Sequence, residues 1–225
     1  IEGDAYSGKP NPHVWMSPQR AMKYVDKLEE AFSDLDPLEA EPTIKLVWVE
    51  PGGELGRPDA IIIPGSKQTI NDLNELKKSG LAKKIIKFVN SGGSIFGICG
   101  GLQIIGRVLK DEFQLENHDP QIKHEEKGLN LMPIETIFEK NKVLNQRNVV
   151  FYWPYKESIS GFELHHGRSN LLEKEYLGEK ISQISPEEGI GWYRNNKDGS
   201  FIAGTYLHGI FENGNWRRHW INILR

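Results

Sequence analysis

The chain contains a single cysteine, and its surroundings are those of a nucleophile. Cys99 lies in Gly97-Ile98-Cys99-Gly100-Gly101, directly after a short apolar run and directly before a segment with helical spacing. A strand that ends at a cysteine flanked by glycines and runs at once into a helix is typical of a nucleophile elbow, because glycine tolerates the tight backbone. The helix N-terminus behind it would favour the thiolate. The alternative is an inert core cysteine, which is the usual environment of a lone cysteine.

A cysteine nucleophile needs a general base. Among the seven histidines, His208 follows the predicted strand Phe201 to Leu207, so it would lie at the carboxyl end of a strand, as Cys99 does. In α/β sheets the reactive groups gather at those ends. The sequence therefore favours His208 as the base, although a lone histidine is more often a surface or core residue.

The elements that must hold these residues alternate along the first half of the chain. Apolar runs predict strands at Ile44 to Val49, Ala60 to Ile63 and Ser94 to Ile98. Helical periodicity predicts four helices, at Thr69 to Lys78, Leu81 to Asn90, Leu102 to Leu109 and Trp216 to Leu224. Further strands are predicted at Asn148 to Trp153, Gly161 to Leu164, Gly191 to Tyr193 and Phe201 to Leu207. Strands that alternate with helices indicate a doubly wound, mainly parallel sheet.

Composition excludes several classes of function. The 225 residues carry a net charge of −3, which does not favour nucleic acid or an anionic membrane surface as a partner. No apolar run approaches the roughly 18 residues that span a bilayer. One cysteine allows no internal disulfide and fits a reducing cytoplasm. The chain opens at Ile1, which we interpret as a fragment or a processed product.

The cysteine and histidine motifs together resemble the class I glutamine amidotransferases: Gly97 to Gly101 with Gln103, and Gly204-Thr-Tyr-Leu-His208-Gly-Ile-Phe. Three further segments resemble the cobyric acid synthase family, which amidates corrin carboxylates in cobalamin biosynthesis. They are Pro64-Gly65-Ser66-Lys67, Gly128 to Thr136 and Gly161 to Arg168. The resemblance implies an α/β, three-layer αβα, flavodoxin-like fold.

The resemblance also implies roles for individual residues. Cys99 would attack the glutamine side-chain amide and form a thioester, with His208 as its base. The backbone N–H groups of Gly65 and Gly100 would form the oxyanion hole. The implied substrate-binding residues are Gln103, His165, His166 and Gly167. His165 and His166 could instead belong to a polar loop or a metal site, but no further ligand spacing supports metal.

The sequence departs from the amidotransferase pattern at two points. Many class I members carry Glu two residues after the catalytic histidine, whereas this chain has Ile210, so we expect a Cys-His dyad, with Glu212 as a possible substitute. No phosphate-binding Walker A pattern is present. We therefore expect no cofactor in this chain and assign ATP and Mg²⁺ to a separate synthetase domain. The expected partners of this chain are that synthetase domain and the substrate glutamine.

The N-terminal segment resembles another family. Asp4 to Pro18 is similar to the manganese/zinc substrate-binding proteins of ABC importers, in which a histidine at the place of His13 ligates metal. We predict a foreign segment at 1–37 with one helix from Ser17 to about Phe32, and an amidotransferase domain at 38–225. In such a chimera the helix could stand in place of the first sheet strand. The alternatives to an active enzyme are an inactive chimeric domain and a metal-binding module.

Overall fold

The computed structural model describes residues 34–116 and 124–224. Residues 34–39 are helical, and the later helices are α1 (Thr69–Lys78), α2 (Leu81–Asn90), α3 (Gly100–Ile105) and α4 (Gly214–Asn222). The strands are β1 (Ala60–Ile63), β2 (Ser94–Ile98), β3 (Val108–Lys110), β4 (Glu125–Lys127), β5 (Ile134–Phe151), β6 (Glu157–Leu171), β7 (Glu175–Tyr176), β8 (Glu179–Lys180), β9 (Ser182–Gln183), β10 (Gly191–Asn195), β11 (Phe201–Thr205) and β12 (Leu207–His208). The predicted helix from Ser17 to Phe32, and His13, lie outside the described residues.

The first sheet places Cys99 and the strand before His208 side by side. Its strand order is β1-β2-β11-β10-β9. β2 pairs in parallel with β1 on one side and with β11 on the other, so the chain leaves both strands at the same edge of the sheet. β10 and β9 are antiparallel, so the sheet is mixed and not mainly parallel. The α/β class predicted from the sequence is confirmed.

Local sequence explains the elements around the elbow. All five residues of β2 are buried, as expected for a central strand covered on both faces. Helix α2 begins after Gly80, whose φ of 78° suits glycine, and it buries Leu81, Ile85 and Val89 on one face. The predicted bounds of β1, β2, α1 and α2 are confirmed.

The second sheet carries the other wall of the site, in the order β12-β6-β5-β3-β4. Its main feature is the long antiparallel hairpin of β5 and β6, of which the sequence predicted only two short pieces. The register shifts between Phe138 and Val143, opposite the stretch from His165 to Gly167. This irregularity occurs where β6 passes the cleft, and β-bulges are common next to functional sites.

Two predicted elements are wrong. Residues 44–49 form no strand, because their backbone pairs with no strand among the residues described; Ile44, Leu46 and Val49 only pack against the core. The predicted helix from Leu102 to Leu109 ends at Ile105, because Gly106 is extended and the chain then enters β3.

An aromatic cluster anchors the segment after His208. Phe211 packs with ring centroids 5.9 Å from Phe96 and 5.6 Å from Trp216, which lies in α4. Phe211 belongs to a short 3-10 helix, Ile210–Glu212, that is separated from His208 only by Gly209. Aromatic contacts of this kind add to the burial of large apolar surfaces, so the position of His208 is fixed from its C-terminal side. None of the helices in the described residues combines the length and apolarity needed to cross a membrane.

Candidate active site

Cys99 occupies the sharp turn between β2 and α3. Its backbone has φ of 50° and ψ of −108°, a conformation that residues other than glycine rarely adopt. The turn is held by two backbone hydrogen bonds, from the Cys99 amide to the Thr205 carbonyl and from the Gln103 amide to the Cys99 carbonyl. Strain of this kind is retained where the surrounding structure holds it and is typical of a nucleophile elbow.

Glycines allow the elbow helix to approach the sheet. A Cβ atom at Gly101 would lie 1.9 Å from the carbonyl oxygen of Ile63, and one at Gly97 would lie 2.6 Å from the backbone of Gly101. Only hydrogen fits at either position. The glycines flanking Cys99 are therefore packing requirements as well as turn residues.

The two predicted oxyanion-hole residues lie beside the thiol. A Cβ atom at Gly65 would lie 2.9 Å from Cε1 of His208 and 3.9 Å from Cβ of Cys99. Gly100 is the first residue of α3, so its amide has no acceptor within the helix. A Cβ at Gly100 would meet Ser66 at 2.9 Å, which brings the loop after β1 against the elbow. The structure therefore gathers Gly65, Gly100 and Cys99 around one point.

His208 is fully buried and hydrogen bonded to an acid that the sequence analysis missed. Its Nδ1 donates to Oδ2 of Asp34 at 2.8 Å, and the other carboxylate oxygen of Asp34 accepts the Gly209 amide, also at 2.8 Å. Asp34 is held in place because its neighbours Leu35 and Leu38 belong to the core. With the proton on Nδ1, the Nε2 atom of His208 is the basic nitrogen.

The expectation of a dyad is therefore wrong, and so is Glu212 as a substitute. Ile210 is buried in the core and Glu212 is exposed, whereas Asp34 provides the carboxylate. Asp34 lies 174 residues from His208 in the chain, so no local spacing could reveal the pair.

The charge environment of His208 favours its protonated form. Burial lowers the pKa of His208, but hydrogen bonds and charge interactions with Asp34 and Cys99 outweigh burial and raise it to about 10. Phe162 stacks on the imidazole with ring centroids 5.1 Å apart. The thiol also contacts the β6 wall, where Sγ lies 3.6 Å from the Leu164 carbonyl oxygen.

A cleft of about 240 Å³ opens in front of Cys99. Three of the predicted substrate-binding residues, Gln103, His165 and His166, line it. Gly167 lies behind Gln103, and a Cβ there would be 2.4 Å from Nε2 of that residue. The volume is below the range of about 300–1,000 Å³ typical of drug-sized ligands, which points to a small metabolite.

Glu116 lines the same cleft and was not predicted from the sequence. Its Oε2 accepts the backbone amide of Thr69 at the start of α1. Burial raises the pKa of Glu116 to about 7 against the opposing hydrogen bond from Thr69, and the charge of Asp111 raises it further. A carboxylate that lacks solvation in a cleft is suited to bind a cation.

The raised pKa of Glu116 gives a testable dependence of stability on pH. Because the folded state binds this proton more tightly than the unfolded state, whose glutamate titrates near 4.5, ionising Glu116 destabilises the fold as the pH rises from 4.5 to about 7. Glu116→Gln removes that effect. The free energy of unfolding of the variant, relative to the parent chain, should therefore increase across this interval and stay constant above it. Urea titrations at a series of pH values measure the difference, and a difference that does not vary with pH would contradict the assignment.

No group of three or more histidine, cysteine, aspartate or glutamate side chains is arranged to hold a metal ion within residues 34–116 and 124–224. His165 has other partners there. Its Nδ1 donates to the Gly167 carbonyl at 2.7 Å, and its Nε2 lies 3.3 Å from a carboxylate oxygen of Glu163.

Comparison with solved structures identifies the fold. A crystal structure of a glutamine amidotransferase superposes with a TM-score of 0.60 at 15% identity, covering 87% of this chain and 92% of the other. The structure of PurLQS from Thermotoga maritima gives a TM-score of 0.55 at 15% identity, covering 87% and 92%. The fold is that of the class I glutamine amidotransferases.

Sequence comparison assigns the chain to a particular family within this fold. The chain belongs to the CobB/CobQ-like glutamine amidotransferase domain family, whose model matches residues 23–216. Cobyric acid synthase of Prochlorococcus marinus (strain MIT 9313) is 51% identical over 197 residues, covering 86% of this chain and 38% of that protein. Cobyric acid synthase of Synechococcus sp. (strain RCC307) is 49% identical over 196 residues, covering 86% and 37%. The chain thus spans less than two fifths of the length of these relatives.

A second family model matches the N-terminal residues. The family model of the periplasmic zinc-uptake complex component A matches residues 2–43. This range overlaps the amidotransferase match over residues 23–43, and Asp34 lies within the overlap. The predicted boundary at residue 38 stays a prediction.

Proposed function

We propose that this chain hydrolyses glutamine and supplies the ammonia for ATP-dependent amidation of corrin side-chain carboxylates, as the glutaminase part of a cobyric acid synthase. The observation that carries the proposal is the arrangement of Cys99, His208 and Asp34 beside Gly65 and Gly100. An ordered nucleophile, base and carboxylate next to backbone donors is the constellation of acyl transfer.

The chemistry follows from the roles of these groups. Cys99 adds through Sγ to the side-chain amide carbon of glutamine, and its proton passes to Nε2 of His208. The amides of Gly65 and Gly100 stabilise the charge on the tetrahedral oxygen. His208 then protonates the departing ammonia, which leaves a glutamyl thioester. Water, deprotonated by His208, attacks the thioester and releases glutamate, which restores the thiol.

The cleft offers complementary groups for the amino-acid end of glutamine. We infer that Gln103 and the backbone from His165 to Gly167 bind this end, and that the Glu116 carboxylate takes the α-ammonium. A bound cation would replace the solvation that burial removes from Glu116. An uncharged amide side chain would then extend towards Cys99.

The relatives are much longer than this chain, and their additional length suggests its partner. Because the chain covers only 38% of the Prochlorococcus marinus (strain MIT 9313) cobyric acid synthase, we propose that a synthetase portion binds ATP and Mg²⁺, activates the corrin carboxylate and receives the ammonia. This chain then needs no cofactor of its own. We place the reaction in the cytoplasm, where ATP and glutamine are available.

The direct test is steady-state ammonia release from glutamine, with Cys99→Ala as the blank. We expect slow release above the blank, because in this enzyme class the partner commonly completes the glutamine site, and a poorly ordered oxyanion hole costs about 10²–10³ in rate. Release equal to the blank would favour an inactive domain. Full turnover without any partner would contradict the proposed dependence on the synthetase portion.

A further inference from the structure

A chain of buried hydrogen bonds runs beneath the elbow and joins five parts of the fold. Thr136 in β5 and Ser169 in β6 are linked through their hydroxyls at 2.7 Å, and Ser169 contacts the Tyr206 hydroxyl at 2.7 Å. Gln103 in α3 donates from Nε2 to the same hydroxyl at 3.2 Å, and Thr69 donates to Oε1 of Gln103 at 3.0 Å. All five residues are buried, so each hydrogen bond is shielded from water.

Tyr206 is the centre of this chain. It lies between β11 and β12, two residues before His208, and only 1% of its surface is exposed. Its ring stacks on His165 with centroids 3.9 Å apart, which fixes the direction of the hydroxyl. Burial raises the pKa of Tyr206 far above its ordinary value, so the hydroxyl keeps its proton and can donate to Ser169 while it accepts from Gln103.

The partners of Gln103 determine what it can offer to a ligand. A carboxamide has two N–H donors and an oxygen with two lone pairs. Tyr206 takes one donor and Thr69 takes one lone pair, which leaves one donor and one acceptor on a residue that lines the cleft beside Cys99. Because the oxygen and nitrogen of a carboxamide exchange places on rotation, only its fixed partners decide which atom faces which way.

We propose that Tyr206 is a positioning residue: its hydroxyl sets the orientation of the Gln103 carboxamide and thereby the affinity of the cleft for the amino-acid end of the substrate. The inference rests on the proposed glutaminase function, and it names a residue that acts through Gln103 without touching the substrate. Tyr206 should therefore control recognition of a free α-amino acid and leave the intrinsic reactivity of the Cys99 thiol unchanged.

The test compares Tyr206→Phe with Ser169→Ala in the full 225-residue chain. Tyr206→Phe removes both hydrogen bonds of the Tyr206 hydroxyl, whereas Ser169→Ala removes only the one with Ser169, so only Tyr206→Phe releases Gln103. Two reagents are applied to each protein. Iodoacetamide reports the thiol alone, and L-2-amino-4-oxo-5-chloropentanoate, a chloroketone shaped like glutamine, reports binding of an α-amino acid before alkylation.

We expect Tyr206→Phe to lower the second-order rate of inactivation by the chloroketone about tenfold, the effect of one well-placed hydrogen bond. Alkylation by iodoacetamide should stay within about twofold of the parent chain, and Ser169→Ala should stay within that limit with both reagents. In a Gln103→Ala background, Tyr206→Phe should have no further effect, because the residue through which it acts is gone.

Other results overturn the inference. Equal losses in Tyr206→Phe and Ser169→Ala, or equal slowing of both reagents, would show a purely structural hydroxyl. Should Tyr206→Phe not fold, Thr69→Val removes the other partner of Gln103 and must show the same selective loss; unchanged chloroketone inactivation in that variant would refute the proposal. The proposed function itself would be refuted by a different result: a parent chain whose Cys99 reacts with iodoacetamide but shows no preference for the chloroketone that carries an α-amino acid.

Discussion

Asp34→Asn should lower kcat for glutamine hydrolysis by about 10²–10⁴, with little change in KM. The carboxylate of Asp34 accepts two hydrogen bonds, from Nδ1 of His208 and from the Gly209 amide, both at 2.8 Å. The two hydrogen bonds go to different oxygens, and in asparagine one of these oxygens becomes an NH₂ donor, so both bonds cannot be kept. If its NH₂ group faces Nδ1, the imidazole must carry its proton on Nε2, which can then no longer take the proton of Cys99.

The chain offers a close control for this substitution. Asp36→Asn makes the same chemical change two residues along the same helical stretch, where the side chain is exposed. It should leave kcat unchanged. Because the hydrogen bond with Asp34 raises the pKa of His208, the titration of His208 followed by NMR should move to lower pH in Asp34→Asn and not in Asp36→Asn. A loss of less than about tenfold, or an equal loss in both variants, would mean that Asp34 does not orient the base.

Cys99 could be predicted as a site residue from the sequence, whereas Asp34 could not. The strand, glycines and helix of the elbow lie in one continuous segment from Ser94 to Ile105, and local pattern is sufficient where the determining contacts are local. The amidotransferase motif likewise places Gly65, Gly100 and His208 at strand ends, where the fold gathers them. Asp34 meets His208 across 174 residues of chain, and no spacing rule covers such a pair.

The wrong predictions have the same origin. Residues 44–49 have the composition of a strand, but a strand also needs a neighbour with which to pair, and composition does not show one. The long hairpin was predicted only in part, because the register shift between Phe138 and Val143 interrupts its alternating pattern. The roles proposed for Tyr206 and Glu116 depend on contacts between distant segments, with Gln103 and with Thr69 respectively, which local pattern does not show.

Gly101→Ala should destabilise the fold by more than about 3 kcal/mol, at or beyond the upper end of the usual cost of overpacking. The added methyl would lie 1.9 Å from the carbonyl oxygen of Ile63 and 3.0 Å from that of Pro64. Both are backbone atoms, which cannot rotate away as a side chain can. Helix α3 must therefore move from β1, and the movement also displaces Gly65, the residue after Pro64, from Cys99.

Gly214→Ala is the matched control, because Gly214 also lies in the first turn of a helix. A methyl there meets only Nη2 of Arg217, at 3.9 Å. Alanine is the better helix former by about 1 kcal/mol, so this variant should be neutral or slightly more stable than the parent chain. Urea unfolding followed by tryptophan fluorescence measures both variants. The expected result is a gap of at least about 3 kcal/mol between them, or a Gly101→Ala protein that yields no folded fraction while Gly214→Ala folds normally. A Gly101→Ala variant within about 1 kcal/mol of the parent would show that the helix and strand can separate without strain, and the close contact would then not be what holds Gly65 beside the nucleophile.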